Sequence, residues 1–259
     1  MADYLIQVQC PTGDPTWFCI GLFWFTLFVW CVSSSAVYHT GSFALALWSG
    51  FVSAWLGAFG HNFVHQPKYK SLGWAQLSLD MVGFSSQAWF REHNLQHHMY
   101  TNTPWDNHFC GSEPFLITDP TVSRNWLQTI FAYATPILFC FALYVNYFVN
   151  TMLMIRGQET FVIGKLILPL HFGLLISKWG LVHGFCLLFV THCVLGNYYF
   201  PLALMNHNTE KTWQIERRNQ SKDWGIAQLH SCADWSCDLR FWQAGLYLWL
   251  NFHTVHHRT

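Results

Sequence analysis

Charge is what this sequence has least of. Lys, Arg, Asp and Glu make up 10% of 259 residues, 13 basic and 13 acidic, where a soluble domain carries about a quarter. The scarcity excludes an ordinary soluble surface. A net charge of zero removes the electrostatic basis for binding nucleic acid. The nine cysteines form no C-x-x-C pair, which excludes a zinc ribbon and a thioredoxin-type motif. Most lie in or beside apolar stretches and read as reduced, structural thiols acting as small hydrophobes. The N-terminus carries Asp3 and Asp14 but no Lys or Arg. It lacks the basic start of a secretory signal or transit peptide, so the first apolar segment reads as a retained anchor.

Apolar and aromatic residues are abundant: 52% hydrophobic, with 15 Trp and 23 Phe. This is the composition of an integral membrane protein. A hydrocarbon core of about 30 Å needs roughly 20 apolar residues as a helix. The sequence predicts an all-α protein with four spans, at about 17–34, 42–60, 161–177 and 181–205, in a single domain over 1–259. The segment 126–153 contains Pro136, Asn146 and Asn150 and is expected to be interfacial or re-entrant. The stretches 61–125 and 206–259 are polar and form a helical cap.

Basic residues orient this arrangement. Four lie in 61–125 (Lys68, Lys70, Arg91, Arg124) and six in 206–259 (Lys211, Arg217, Arg218, Lys222, Arg240, Arg258), with none in the turn 33–41. Cytoplasmic loops carry the excess of Lys and Arg, so both polar regions are expected to face the cytosol. Both on one side requires an even number of crossings between them, which is why 126–153 is assigned as non-crossing.

Both polar regions gather histidine. Eight of 15 His fall in three groups: "GHNFVHQ" (His61, His65), "REHNLQHH" (His93, His97, His98) and "NFHTVHH" (His253, His256, His257). Helical residues three or four apart share a face, with Cβ atoms about 5–6 Å apart, so His61 and His65 can converge on one ion. His98 is turned away from His97, so that pair can serve two neighbouring metals. Taken singly, each is an ordinary interfacial histidine; three groups at ligand spacing on one face are not. Eight imidazoles exceed the four-coordinate needs of one zinc. The sequence contains no H-E-x-x-H, the metalloprotease motif, and no E-x-x-H pair of the carboxylate di-iron bundles. Imidazole suits iron, zinc, copper and nickel. Two irons activating O₂ in a dry pocket fit best, oxidising an unreactive C–H bond away from water.

With these groups in order, and apolar segments between the second and third, the chain resembles the membrane fatty acid desaturase family over about residues 17–259. The groups match its H-x₃-H, H-x₂₋₃-H-H and H-x-x-H-H boxes. The resemblance implies an endoplasmic-reticulum-type membrane enzyme with a cytosolic di-iron centre that puts a double bond into a lipid acyl chain, as acyl-CoA or acyl-lipid. Electrons would come from cytochrome b5 or ferredoxin. "LMNHNTE" matches the stretch that supplies one more ligand, His207. Read by itself, His207 is also a helix-end histidine that could bond a terminal carbonyl. His253 stands where fused front-end desaturases carry Gln, and no His-Pro-Gly-Gly haem motif is present, so a separate electron donor is expected. The chain stops two residues after His257, where relatives continue, and is expected to be a C-terminally truncated member.

Metal-bound histidines donate their outer N–H to carboxylates or carbonyls; Glu92, Asp106, Asp234 and His230 are the candidates. Two alternatives remain open: a lipid hydroxylase with the same iron site, and a non-catalytic membrane metal-binding protein, to which His171, His183 and His192 in the apolar segments lend slight support.

Overall fold

The computed structural model describes residues 17–65, 69–103, 105–110, 112–119, 122–209, 212, 223–251 and 253–257. Asp3, Asp14, Lys68, Lys211, Arg217, Arg218, Lys222 and Arg258 lie outside the described residues. Among those described, the chain is all-helical. The principal helices are α1 (Trp17–Thr40), α2 (Phe43–Phe63), α3 (Tyr69–Met81), α4 (Trp126–Tyr133), α5 (Thr135–Ile155), α6 (Ile167–Trp179), α7 (Leu181–Leu204) and α8 (Trp224–His230). The chain divides into two compact units. One comprises Met1–Ala88 with Phe139–Tyr199, the other Trp89–Leu138 with Phe200–Thr259.

Among the described residues, four helices are long and apolar enough to cross a membrane: α1, α2, α5 and α7. Their outward faces carry Trp24, Phe25, Phe28, Phe51, Phe141, Val145 and Phe148, all exposed. A water-soluble monomer rarely shows apolar patches of this size. The set differs from the sequence expectation in one member. The segment 161–177 is not one long helix: Val162 is extended, Ile163–Leu166 forms a 3₁₀ turn, and α6 is 13 residues long. β-Branched Val162 and Ile163 followed by Gly164 start a helix poorly. Pro169 falls in the first turn of α6, where its missing N–H is not needed. Residues 126–153 form two helices because Pro136 interrupts the ladder. Asn125 and Gln128 form a capping box that starts α4, and α5 begins after Ala134.

In the first unit, small and hydroxylated residues bring the helices together, as membrane packing favours. Trp30 Nε1 donates to Ser53 Oγ at 3.0 Å, joining α1 to α2. Gly50 admits the Thr191 carbonyl: a Cβ there would stand 2.6 Å from it, so α2 and α7 meet at backbone distance. The α1–α2 turn, where Gly41 takes φ +63°, lies against the α6–α7 turn. Trp179 Nε1 donates to the Tyr38 carbonyl at 2.8 Å and His183 Nε2 to that of Gly41 at 3.0 Å. Far from this shared end, α5 touches both partners. Its Asn197 contact is Cys140, at 3.3 Å, and Tyr147 donates to the Lys165 carbonyl at 2.9 Å.

A polar knot fills the start of α6. Asp80 accepts from the Ser86 amide at 2.9 Å and the Ser86 hydroxyl at 3.2 Å. Lys165, also buried, bonds the Asn150 carbonyl at 3.4 Å and Glu159 at 3.3 Å. Asp80, Asn150 and Lys165 line a cavity of about 10 Å³, room for roughly one water. Burial pushes the Asp80 carboxyl up to about 6, against the Ser86 bonds and the Lys165 charge. The described cysteines (Cys19, Cys31, Cys140, Cys186, Cys193, Cys232, Cys237) form no disulfide with one another.

Candidate metal centre

The second unit builds its site on a wide helix. Phe90–His97 is a π-helix, followed directly by one turn of α-helix, His98–Tyr100. Bonds from i to i+5 make the turn one residue wider than in an α-helix, and such turns concentrate at functional sites. Residues four apart then stand almost one above the other: the His93 and His97 rings stack at 5.2 Å with 17° between planes. Residues five apart become neighbours on one side, so His98 Nε2 approaches His93 Nε2 at 3.2 Å.

Imidazole nitrogens converge at two places. His93, His98 and His256 bring their Nε2 atoms together at 3.1 to 3.2 Å. Beside them, His207 Nε2 lies 3.1 Å from His97 Nε2, 2.8 Å from His253 Nε2 and 3.2 Å from His257 Nε2. The two groups adjoin: the His98 and His257 rings stack at 4.2 Å. Adjacent residues of one motif therefore go to different groups, His97 from His98 and His256 from His257.

The outer nitrogens reveal what the inner ones carry. His97 Nδ1 donates to Asp106 Oδ2 at 2.9 Å. His207 Nδ1 donates to the Ser231 carbonyl at 3.0 Å, and His257 Nδ1 to Gln228 Oε1 at 3.1 Å. A neutral imidazole has one N–H, so a neutral ring held this way presents Nε2 as an unprotonated lone pair. His207 and His257 are held neutral, first by burial, which pushes both down from the usual histidine range. His207 Nε2 faces those of His97 and His257 at 3.1 and 3.2 Å. Lone pairs brought this close repel, and a hydrogen bond between two of the rings would need one of them to give up its Nδ1 hydrogen. A cation relieves the repulsion without that. Two imidazole nitrogens at right angles around an ion about 2.1 Å away lie about 3.0 Å apart. The donor set fits a metal: His97, His207, His253 and His257 are all buried, with ligand atoms within 4.8 Å of one another. Because burial holds His207 and His257 neutral, these two need not lose a proton on binding.

Asp106 is the organiser of this region. It is 1% exposed and accepts from His97, from the Asn102 amide at 2.9 Å and from the His108 amide at 2.9 Å. Burial raises its carboxyl, while His108 and these amides oppose the rise. Asn102 takes the left-handed conformation, φ 57°, which Asn tolerates better than most residues. Its Nδ2 bonds the carbonyls of His207 at 3.3 Å and Ser231 at 3.1 Å. Burial also lowers His108 to about 4. Its ring lies 5.1 Å from that of His93 and 4.9 Å from that of His97.

His61 and His65 belong to the first unit, at the end of α2, with rings 5.6 Å apart. Glu92 pairs with Arg91 at 2.8 Å. Asp234 stands beside Cys232 and Cys237 and helps raise both thiols, Cys232 to about 12, burial being the larger cause. His230 ends α8 with its Nδ1 buried and unbonded. The sequence names neither Asn102, Gln228 nor the Ser231 carbonyl, because no local spacing points to a contact made more than 20 residues away.

Described residues that are all-helical, with four helices of spanning length and a buried cluster of converging imidazoles, define a membrane protein with a histidine-ligated metal site. The sequence model of the fatty acid desaturase family matches residues 36–259, and the chain belongs to that family. It is an oxidoreductase acting on fatty acids, associated with the membrane, with desaturation or hydroxylation as the chemistry of its class. No curated protein and no solved structure matches the chain.

Proposed function

We propose that the chain is a desaturase that introduces a double bond into a lipid acyl chain at a di-iron centre, using O₂. The observation that carries this is the pair of adjoining Nε2 groups, His93–His98–His256 and His97–His207–His253–His257, in the second of which three rings are held from behind through Nδ1 with Nε2 turned inward. The full ligand set we propose is His61, His65, His93, His97, His98, His207, His253, His256 and His257, the first two from the order of the family's motifs. Neutral ligands leave an iron's positive charge uncompensated, and when bound the irons would supply O₂ activation for hydrogen abstraction. The protein's part is to hold the ligands. Asp106, the Ser231 carbonyl and Gln228 fix three rings in one tautomer, and burial keeps water from the reacting carbon. Per double bond, O₂ takes two hydrogens from the chain together with two electrons and two protons, leaving as two waters. The electrons come from a separate donor, cytochrome b5 or ferredoxin.

We infer four spans, with the histidine-bearing stretches on the cytosolic side of the endoplasmic reticulum membrane. The shared end of the α1–α2 and α6–α7 turns supports α6 as a crossing partner of α7, with its 3₁₀ turn adding length. Support for α5 as non-crossing comes from its contacts. Asn197 and Lys165, met by Cys140 and Tyr147, are 17 and 15 residues from Gly180 at the α6–α7 turn. Pro136, Asn146 and Asn150 within 126–153, and the even number of crossings that one cytosolic face requires, favour the same assignment.

Expression in yeast followed by mass spectrometry of fatty acids tests the reaction. Loss of two hydrogens supports the desaturase, whereas gain of one oxygen means a hydroxylase. Two irons per purified chain support the cofactor; zinc alone, without product, means a non-catalytic metal-binding protein.

A further inference from the structure

One cluster imidazole is held by a neutral side chain that lies far from any histidine motif. Gln228, on the last turn of α8, is 4% exposed. Its Oε1 receives the His257 Nδ1 hydrogen at 3.1 Å and stands 2.9 Å from the Thr101 hydroxyl. Thr101 lies one turn beyond His97. Its hydroxyl reaches the His97 carbonyl at 2.6 Å and lies 3.4 Å from His257 Nδ1. Three residues after Gln228, the Ser231 carbonyl takes the His207 Nδ1 hydrogen. One helix end thus grips the outer nitrogens of two of the four imidazoles. That end is itself fixed. Asp223 caps the start of α8 through the Ile226 amide at 3.0 Å. The Ser231 hydroxyl and the Cys232 thiol both bond the Gln228 carbonyl at 2.9 Å, and Trp224 Nε1 donates to the Met99 carbonyl at 3.3 Å.

We propose that Gln228 is a positioning residue of the metal centre, holding His257 as the Nδ1–H tautomer and aiming its Nε2 lone pair at the ion. This rests on the reading that the four imidazoles bind metal. The amide matters for two reasons. Without Gln228, His257 Nδ1–H would keep only the longer Thr101 hydroxyl contact at 3.4 Å, a poorly satisfied buried donor, and the ring would be freer to protonate Nε2 instead. A neutral acceptor also leaves His257 a weaker donor than His97, whose acceptor is the Asp106 carboxylate, since outer partners set ligand basicity.

The test uses the whole chain purified from membranes, with Gln228→Leu and Gln228→Glu beside the unaltered protein. Iron per chain and the Mössbauer spectrum are read without turnover. Gln228→Leu is expected to lose one of two irons, with one spectral component weakened. Gln228→Glu restores an acceptor and is expected to keep two irons while altering the component of the ion that His257 binds. Two irons with an unchanged spectrum in the leucine variant would overturn the proposal. If that variant does not fold, the glutamate variant decides: an unchanged spectrum overturns the proposal, a shift in one component supports it. Absence of metal in the unaltered chain sinks the metal reading itself, a result distinct from a full centre indifferent to Gln228.

Discussion

His97 and His207 bring their Nε2 atoms to 3.1 Å while each commits its Nδ1 hydrogen elsewhere, to Asp106 and to the Ser231 carbonyl. Two ring nitrogens face each other in a buried place, and each ring is fixed from behind. The cluster is thus an arrangement with a built-in need for positive charge. Removing one ring should remove the need and the metal together. His97→Ala is expected to abolish product formation and to lower iron content, while the protein still inserts in the membrane, because α1, α2 and α7 do not depend on that ring. Product formation equal to that of the unaltered chain would count against the metal assignment.

Asp106 should matter nearly as much as a ligand. Its two oxygens accept from three N–H groups, of His97, Asn102 and His108. Asp106→Asn keeps the shape but turns one oxygen into a donor that faces another donor. Loss of an outer partner of this kind costs about 10–100-fold in metal affinity or activity. Iron titration of the purified variant measures it directly, and an affinity equal to the unaltered chain would mean that Asp106 serves only the loop.

Asn102 offers a ranking rather than a single loss. Its backbone is left-handed at φ 57°, and its side chain bonds two carbonyls across the unit. Glycine accepts that backbone freely but makes no bonds. Alanine loses the bonds and adds about 1–2 kcal/mol of conformational strain. Thermal stability in detergent is expected to fall in the order Asn, Gly, Ala. Alanine matching or exceeding glycine would show that the turn is not held as described.

The sequence carries the identities of the imidazoles but not their grouping. Spacing in "REHNLQHH" gives ligands on a helix, yet the helix is π rather than α, and that one extra residue per turn sets His98 beside His93. Nothing in the local pattern announces it. Long apolar runs are legible because α1, α2 and α7 are built from them. The 161–177 stretch is as apolar, but Val162, Ile163 and Gly164 delay helix formation, a local cost that average hydropathy does not register. Asp106 is legible as a nearby carboxylate. Gln228 is not, because its partner His257 is 29 residues away and only the folded unit brings them together.

Asp80 gives the chain a pH dependence independent of the imidazoles. Burial lifts its carboxyl from 3.8 to about 6. The folded protein therefore binds that proton more tightly than the unfolded chain, and stability falls as pH rises through about 4 to 6. A displacement of this size is worth on the order of 3 kcal/mol. Asp80→Asn removes the ionisation while keeping an acceptor for Ser86. The thermal midpoint of the metal-free unaltered chain, compared with that of the variant at each pH, isolates the effect. The difference between them is expected to move in the variant's favour between about pH 4 and pH 6 and to level off above. A difference constant across that range would show that Asp80 is charged throughout, with Lys165 rather than burial deciding its state.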